Sequence, residues 1–402
     1  MVPDVTFDLV EEHRMTKRFT DCLIVDADAH ILEPPDLWER YMDPALRDQA
    51  IRVRTDDRGL EYLEVAGKLS KRSQGGTLFT LGGYGKEPEE LVPRPDRTYV
   101  GCAPLGAMDS RGRLQFMDQE NVDASVLYPS LALLWEPEVF DIQLCDAYCR
   151  AYNRWITDFC ADSGDRLIPI AHISLGDVDL AVKELERSVR AGARGAFVAP
   201  HTITRKPHGH PDHNPFWAKA RELNVPIGIH PTLEPMPPMA AAHFDGMKGE
   251  TWYFVVMSSV AVQAAMTTMF HYGTFDRFPD LKFLVLESSA GWISAWLDRM
   301  DAKFASVGRF NRKMKTPPSE SFKTNCWIAC DPDEKTVPAI IDLVGTEHFF
   351  WNSDYPHSEA KPGVMNDLEH MGTQLSPQAK ANLFGLNAAR LYNIKGRRSN
   401  GQ

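Results

Sequence analysis

Apolar residues fall into short runs separated by longer stretches with helical spacing. The runs lie at residues 22–28, 124–129, 167–172, 196–199, 226–230, 282–287, 325–330 and 348–353, and each reads as a strand. Between them, residues 142–161, 178–191, 215–223, 260–270, 293–305 and 377–391 repeat apolar positions with the period of a helix. Alternating strand and helix signals imply parallel strands joined by helical crossovers, and this number of strands predicts a (β/α)8 TIM barrel. Connections into strands are short and those leaving them are long. The longest follows the first strand, so the chain divides into an N-terminal arm (1–20), a barrel (21–395) and a tail (396–402). Residues 39–110 form an insertion or lid within the barrel. In it, residues 51–65 read as a hairpin turning at Asp57-Arg58-Gly59, followed by a Gly/Pro-rich loop. Such an excursion is expected to cover the mouth or form a subunit contact, with residues 75–85 mobile until something binds.

A chain of 402 residues that is 43% hydrophobic buries a large core as one domain. Its formal net charge of −11, without a basic run beyond Lys395, Arg397 and Arg398, argues against nucleic acid as a partner. No signal-peptide core or membrane-length apolar run is present, so a cytoplasmic protein with no membrane partner is expected. The seven cysteines are scattered and odd in number, which excludes a disulfide framework or CxxC zinc site; Cys330 reads as a small buried hydrophobe.

The chemistry gathers at strand ends. In "IVDADAHILEPPDLW", strict alternation places Asp26, Asp28 and His30 on one face, opposite Val25, Ala27 and Ala29. Buried carboxylates demand pairing or a metal, and Asp with imidazole suits Zn, Mn or Fe. Other runs end in His230 ("PIGIHP"), Glu287 ("FLVLESSAGW"), and Asp354 with His357 ("FFWNSDYPH"). Acids and imidazoles at so many strand ends are hard to explain by packing, and a barrel's chemistry sits at those ends.

Several residues carry two readings. Glu33 either ligates or caps a turn. His357 either orients Asp354 or bonds the backbone. His172 and His201 either face substrate or are structural. His208, His210 and His213 resemble a zinc tract by count, but their Pro, Gly and Asp neighbours indicate a solvated loop. Trp135, Trp252, Tyr128 and Phe79 fit core packing better than an aromatic pocket.

Together, "DADAH" with "EPPDLW", "NPFWAKARELNVPIGIHP", "DRFPDLKFLVLESSAGWISAWLDRMD" and "WNSDYPHSE" resemble the amidohydrolase-2 branch of the amidohydrolase superfamily over residues 22–391. That branch contains aminocarboxymuconate-semialdehyde decarboxylase and the nonoxidative aromatic acid decarboxylases. The resemblance implies that Asp28, His30, His230 and Asp354 hold a divalent Zn, Mn or Fe, with Asp354 also moving protons. Glu287 then serves as a second proton carrier or a ligand, with a salt bridge as its bland alternative. Glu33, Glu287, His201 and His357 are candidates for a second metal or for substrate. Two departures stand out: Asp28 replaces the first histidine of His-x-His, and Glu287 replaces the histidine that often ends strand six. "GAFVAPH" also lacks the metal-bridging lysine or glutamate of dinuclear hydrolases.

The leading expectation is a metal-dependent hydrolase or carboxy-lyase acting on a small carboxylated or aromatic compound, assembled as a homo-oligomer or with a paralogue. A dinuclear Fe/Mn oxygenase on the same barrel is the first alternative. A non-catalytic paralogue supporting a catalytic partner subunit is the second, and an intact Asp354 speaks against it.

Overall fold

In the computed structural model, which describes residues 22–71, 73, 75–232, 251–310 and 313–395, all eight apolar runs join one sheet. The barrel strands are β1 (Val25–Ile31), β5 (Ala124–Pro129), β6 (Leu167–His172), β7 (Gly195–Val198), β8 (Ile227–Ile229), β9 (Phe283–Val285), β10 (Cys326–Cys330) and β11 (Phe349–Trp351). Strands β2 (Arg52–Thr55), β3 (Glu61–Val65) and β4 (Lys68–Leu69) make a separate antiparallel sheet in the insertion. Each barrel strand pairs in parallel with the next. The ring closes where Asp354 N–H donates to Asp28 O (3.2 Å) and His30 N–H to Tyr355 O (2.7 Å). Asp26 completes the seam, accepting from Ser353 N (3.0 Å) and Oγ (2.6 Å). The chain is a (β/α)8 TIM barrel, as the alternation predicted.

Layering inside follows the strand period. Val25, Ala27, Val126, Tyr128, Ile170, Phe197, Leu284 and Phe350 fill the interior, and Leu391 and Tyr392 of the last helix pack into the same cluster. The outward positions, such as Ile227, Ile229, Phe283 and Val285, pack in the layer that includes the helices. Continuing the inward period along β6, β8 and β11 leads to His172, His230 and Asp354 at the mouth.

β1 corrects the sequence reading. The ladder to β5 pairs Asp26 with Ser125 and Ala29 with Leu127, so three steps on β1 face two on β5. This bulge breaks the alternation. Val25 and Ala27 pack inside, whereas Ala29 and Ile31 pack in the outer layer. Asp28 and His30 are therefore delivered to the mouth, and Asp26 is left to brace the seam with Ser353. The three residues do not share one face.

Four of the expected helices appear within a residue or so of their predicted ends: Ile142–Cys160, Val178–Ala191, Asn214–Glu222 and Ile293–Ser306. The helix expected at 260–270 starts earlier, spanning Thr251–His271, because "TWYFVVMSS" is apolar all round and carries no amphipathic signal. The expected 377–391 helix is interrupted by a π turn at Asn382–Leu386, where Trp351 Nε1 donates to Phe384 O (3.0 Å). A Cβ at Gly385 would stand 2.4 Å from Leu23 O, so the close approach of this turn to the barrel floor requires glycine. Pro318–Asn325, Val337–Val344 and Val364–Gly372 are further helices that the spacing did not reveal.

The insertion is docked on the barrel. Its hairpin turns where predicted, with Asp56 N–H donating to Leu60 O (2.9 Å). Tyr148 from the long helix receives Ala66 N–H (3.0 Å) and donates to Gln49 O (2.5 Å). Within its Gly-rich centre, expected to be mobile, Leu78, Phe79 and Gly82 are buried, and Tyr84 N–H donates to Pro356 O (3.1 Å). It thus reaches the loop after β11. The arm expected over 1–20 and the tail over 396–402 lie outside the described residues. Among the described residues, no helix is long and apolar enough to cross a membrane.

Candidate active site

His30 and His230 face one another across the mouth with their Nε2 atoms 3.1 Å apart. Each ring is fixed from behind, Nδ1 of His30 donating to Pro129 O (2.9 Å) and Nδ1 of His230 to Pro231 O (2.7 Å). A carbonyl only accepts, so each Nδ1 carries a proton and each Nε2 is directed at the shared space, as in metal-binding imidazoles. Asp28 Oδ1 is 3.9 Å from both Nε2 atoms. Both Asp28 oxygens are buried without a hydrogen-bond donor. Ligands about 2 Å from one ion stand roughly 3–3.5 Å apart, close to the observed separation of the imidazoles.

The electrostatics agree. Burial holds His30 far below the ordinary histidine value, helped by His357 and His230. Burial also opposes charge on His230, but Glu287 and Asp28 outweigh it and lift that imidazole to about 9. Asp28 is driven well up by burial, with His230 opposing and Glu287 and Asp354 adding to the rise. The cluster therefore calls for positive charge between Asp28 and the imidazoles. A proton on His230 would leave both oxygens of Asp28 unpaired, whereas a divalent cation would satisfy them.

Asp354 Oδ1 is 3.5 Å from His30 Nε2 and accepts from His357 Nδ1 at 2.8 Å. His230 Nε2 (3.1 Å) and Asp354 Oδ1 (3.5 Å) both neighbour His30 Nε2, but the two residues fall in separate candidate groups. Three groups could hold an ion among the described residues: Asp28, His30 and His230; His30, Asp354 and His357; and Glu287, Asp354 and Glu359. Burial lowers His357, so its neutral ring accepts from Ser130 Oγ at Nε2 (2.8 Å). His357 also stacks on His30, with ring centroids 4.1 Å apart.

Glu287 adopts φ +36° and Asp354 φ +56°, left-handed conformations uncommon for residues other than glycine. At Glu287 this turn brings Oε2 to 2.7 Å from His230 Nε2, a partner that the period of β9 did not foretell.

The remaining candidates divide. Glu33 is a turn cap: its carboxylate accepts from the N–H groups of Ser130 (3.2 Å), Leu131 (2.8 Å) and Ala132 (3.4 Å). Of its two readings, ligand or cap, these bonds are those of the cap. The cap nonetheless fixes Ser130, which holds His357. His201 stands apart from the candidate ligand groups, its Nδ1 3.4 Å from Thr232 Oγ1. His172 pairs with Glu136 (Nε2 to Oε2, 2.6 Å), a glutamate the sequence reading passed over. Arg113, Glu334 and Glu359 were also missed, although Glu359 lies within the quoted "WNSDYPHSE" motif. Trp135, Tyr128 and Phe79 are core residues and Trp252 is exposed. Cys330 is buried, as expected.

The histidine-rich loop is not solvated throughout. His208 and His213 are buried, and His208 Nε2 donates to Ala199 O (2.8 Å). Burial pushes His208 down to about 4 from 6.5. The folded state thus resists the proton that the unfolded chain accepts, so stability is lost as pH falls from 6.5 towards 4. Comparing wild type with His208→Gln in denaturant titrations at pH 7 and pH 5 should show a weaker pH dependence in the variant. The expected difference is about 1–2 kcal/mol, at roughly 1.4 kcal/mol per pH unit; parallel pH profiles would refute it.

Beside these candidate ligand groups lies a cavity of about 590 Å³, bounded by Glu287, Ser288, Asp354 and Glu359 on one side and by Val255 and Val256 of the long apolar helix on the other. Among the described residues lining it, none comes from the insertion.

Residues 25–394 match the family model described as Amidohydrolase. The gamma-resorcylate decarboxylase of Rhizobium radiobacter is 25% identical over 313 residues, covering 71% of this chain and 87% of its own. An amidohydrolase from Mycobacterium avium subsp. paratuberculosis K-10 superposes with a TM-score of 0.78 at 20% identity, over 93% of this chain and all of that one. A dihydroxybenzoic acid decarboxylase from Polaromonas sp. JS666, solved with manganese and 2-nitroresorcinol, superposes with a TM-score of 0.62 at 19% identity, over 93% and 97% of the two chains.

Proposed function

The chain belongs to the amidohydrolase family, and from that premise we propose that it is a metal-dependent carboxy-lyase removing CO2 from a hydroxylated aromatic acid without oxidation. The observation that carries the metal is the pair of Nε2 atoms at 3.1 Å beside a buried Asp28 carboxylate with no donor. Decarboxylase relatives, one of them solved with manganese, support the reaction type.

Asp28, His30 and His230 would hold the ion, with Asp354 at its edge. When bound, a divalent ion supplies a Lewis acid that polarises the substrate's carboxylate or phenolate oxygen. The chain's own residues handle the proton. Ser130 and His357 hold the Asp354 carboxylate in place, and the Asp354–His357 pair delivers a proton to the ring carbon bearing the carboxylate. The bond from that carbon to the carboxylate then breaks, its electron pair restores the aromatic ring, and CO2 leaves. The pair regains its proton from solvent through the cavity.

The test is an anaerobic assay of CO2 release from a panel of 2-hydroxybenzoates, including 2,6-dihydroxybenzoate, with chelator-treated and Mn-reconstituted protein. One CO2 per substrate consumed is expected. Chelation should lower the rate by at least about 10²-fold, and Mn²⁺ should restore it. No CO2 from any member of the panel, or a rate indifferent to chelation, would overturn the reading. Turnover that requires oxygen would instead favour the oxygenase, whereas turnover by the purified chain alone removes the supporting paralogue.

A further inference from the structure

The wall of the cavity beside the imidazole site is acidic far beyond what that site needs. Glu287, Glu359 and Asp354 bring carboxylate oxygens within 4.8 Å of one another. Asp331, Asp333 and Glu334 line the same space. Among the described lining residues the only cationic side chain is Lys361, and it is paired with Asp333.

A crowd of acids on a surface is ordinary. What sets this one apart is a row of buried oxygens with nothing to accept from. Asp354 is 7% exposed, and while its Oδ1 is occupied by His357, its Oδ2 is buried without a partner. Asn352, 3% exposed, donates from Nδ2 to Asp331 (2.9 Å) and leaves Oδ1 buried and unpartnered on the same wall. Ser288, 4% exposed, presents an Oγ in the same condition. Leaving a buried acceptor unpaired is unfavourable, and more so for a charged group.

From this we propose a second divalent-cation site, held by Glu287, Glu359 and Asp354 Oδ2, with the Asn352 amide oxygen beside it. Its donor set differs in kind from the first: every ligand is oxygen, which suits a hard ion such as Mn²⁺, Mg²⁺ or Ca²⁺, whereas two imidazoles serve the first. Asp354 then faces both groups, Oδ1 lying 3.5 Å from His30 Nε2 and Oδ2 turned to the second ion, and the proton that the Asp354–His357 pair delivers is the one on His357 Nδ1. The ion also resolves an electrostatic conflict, although this use rests on the decarboxylase reading. An aromatic carboxylate entering the cavity meets an anionic wall, and a cation among Glu287, Glu359 and Asp354 turns repulsion into a binding contact for the carboxylate or an adjacent phenolate.

The experiment counts ions. Metal-free full-length protein is dialysed against Mn²⁺ alone, the bound metal is quantified per chain, and low-temperature electron paramagnetic resonance reports whether the ions are spin-coupled. Wild type should bind two Mn²⁺ with a coupled spectrum. Glu359→Gln, at an exposed position where folding is not at stake, should weaken the second ion at least about 10-fold and return the six-line signal of an isolated Mn²⁺. A single Mn²⁺ per wild-type chain would overturn the proposal, as would two ions with affinities unmoved by Glu359→Gln. CO2 release in the assay above is read independently. One ion with decarboxylation refutes this site alone, and two coupled ions without decarboxylation refute the reaction alone.

Discussion

Asp354→Asn should yield a folded barrel whose decarboxylation rate is lower by about 10³–10⁴-fold, at the upper end of what a general acid or base contributes. Folding survives because the seam uses the backbone of Asp354, not its side chain: its N–H donates to Asp28 O (3.2 Å), and Asp26 and Ser353 brace the same junction. Burial and the charge of Glu287 hold the Asp354 carboxyl well above the ordinary range. An amide of the same shape leaves that seam intact, so the melting temperature of the metal-free protein should be unchanged. Chemistry is what the substitution removes. An amide is not protonated near neutral pH and cannot exchange a proton with His357, so the pair that serves the ring carbon is broken. Single-turnover rates with saturating Mn²⁺ separate this loss from weakened metal binding. A variant within about tenfold of wild type would remove Asp354 from the reaction.

The contrast between Asp354 and Glu287 shows which parts of the site a sequence can display. His230 and Asp354 continue the inward period of β8 and β11, so the alternation that marks a buried strand also marks its last residue as facing the mouth. Glu287 lies out of phase with Leu284 and Leu286. Only a left-handed turn at φ +36° brings its carboxylate onto His230, and nothing in "VLESS" requires that turn. β1 makes the same point in reverse. Strict alternation grouped Asp26 with Asp28 and His30, but the bulge assigned Asp26 to the seam. Residues acting through hydrogen bonds to the backbone were the least legible, since Glu33 and Arg113 find their partners far along the chain.

Arg113 has the largest expected effect on stability. It is 1% exposed, in the helix Ser110–Gln119, with Nη2 donating to His30 O (2.5 Å) and Nε to Gly106 O (3.0 Å). Its guanidinium carbon lies 4.8 Å from the centre of the Tyr355 ring. Burial lowers its pKa to about 10, partly offset by Tyr355 and Asp26, so it remains charged at neutral pH. Arg113→Ala would strip donors from two buried carbonyls and remove the charge that helps hold Asp26 down against its burial. Breaking a buried charge network in this way should cost roughly 3–5 kcal/mol in denaturant unfolding. Arg113→Lys keeps the charge but loses the fork that spans His30 and Gly106, and should recover only part of that loss. Because the His30 carbonyl is one anchor, the metal site should feel the change as well: Mn²⁺ affinity should fall by about 10–100-fold in Arg113→Lys, as when an outer partner of a metal ligand is removed. Unfolding free energies within about 1 kcal/mol of wild type in Arg113→Ala would show that the guanidinium merely fills space. Unchanged Mn²⁺ affinity in a stably folded Arg113→Lys would show that it acts on the fold without steadying His30.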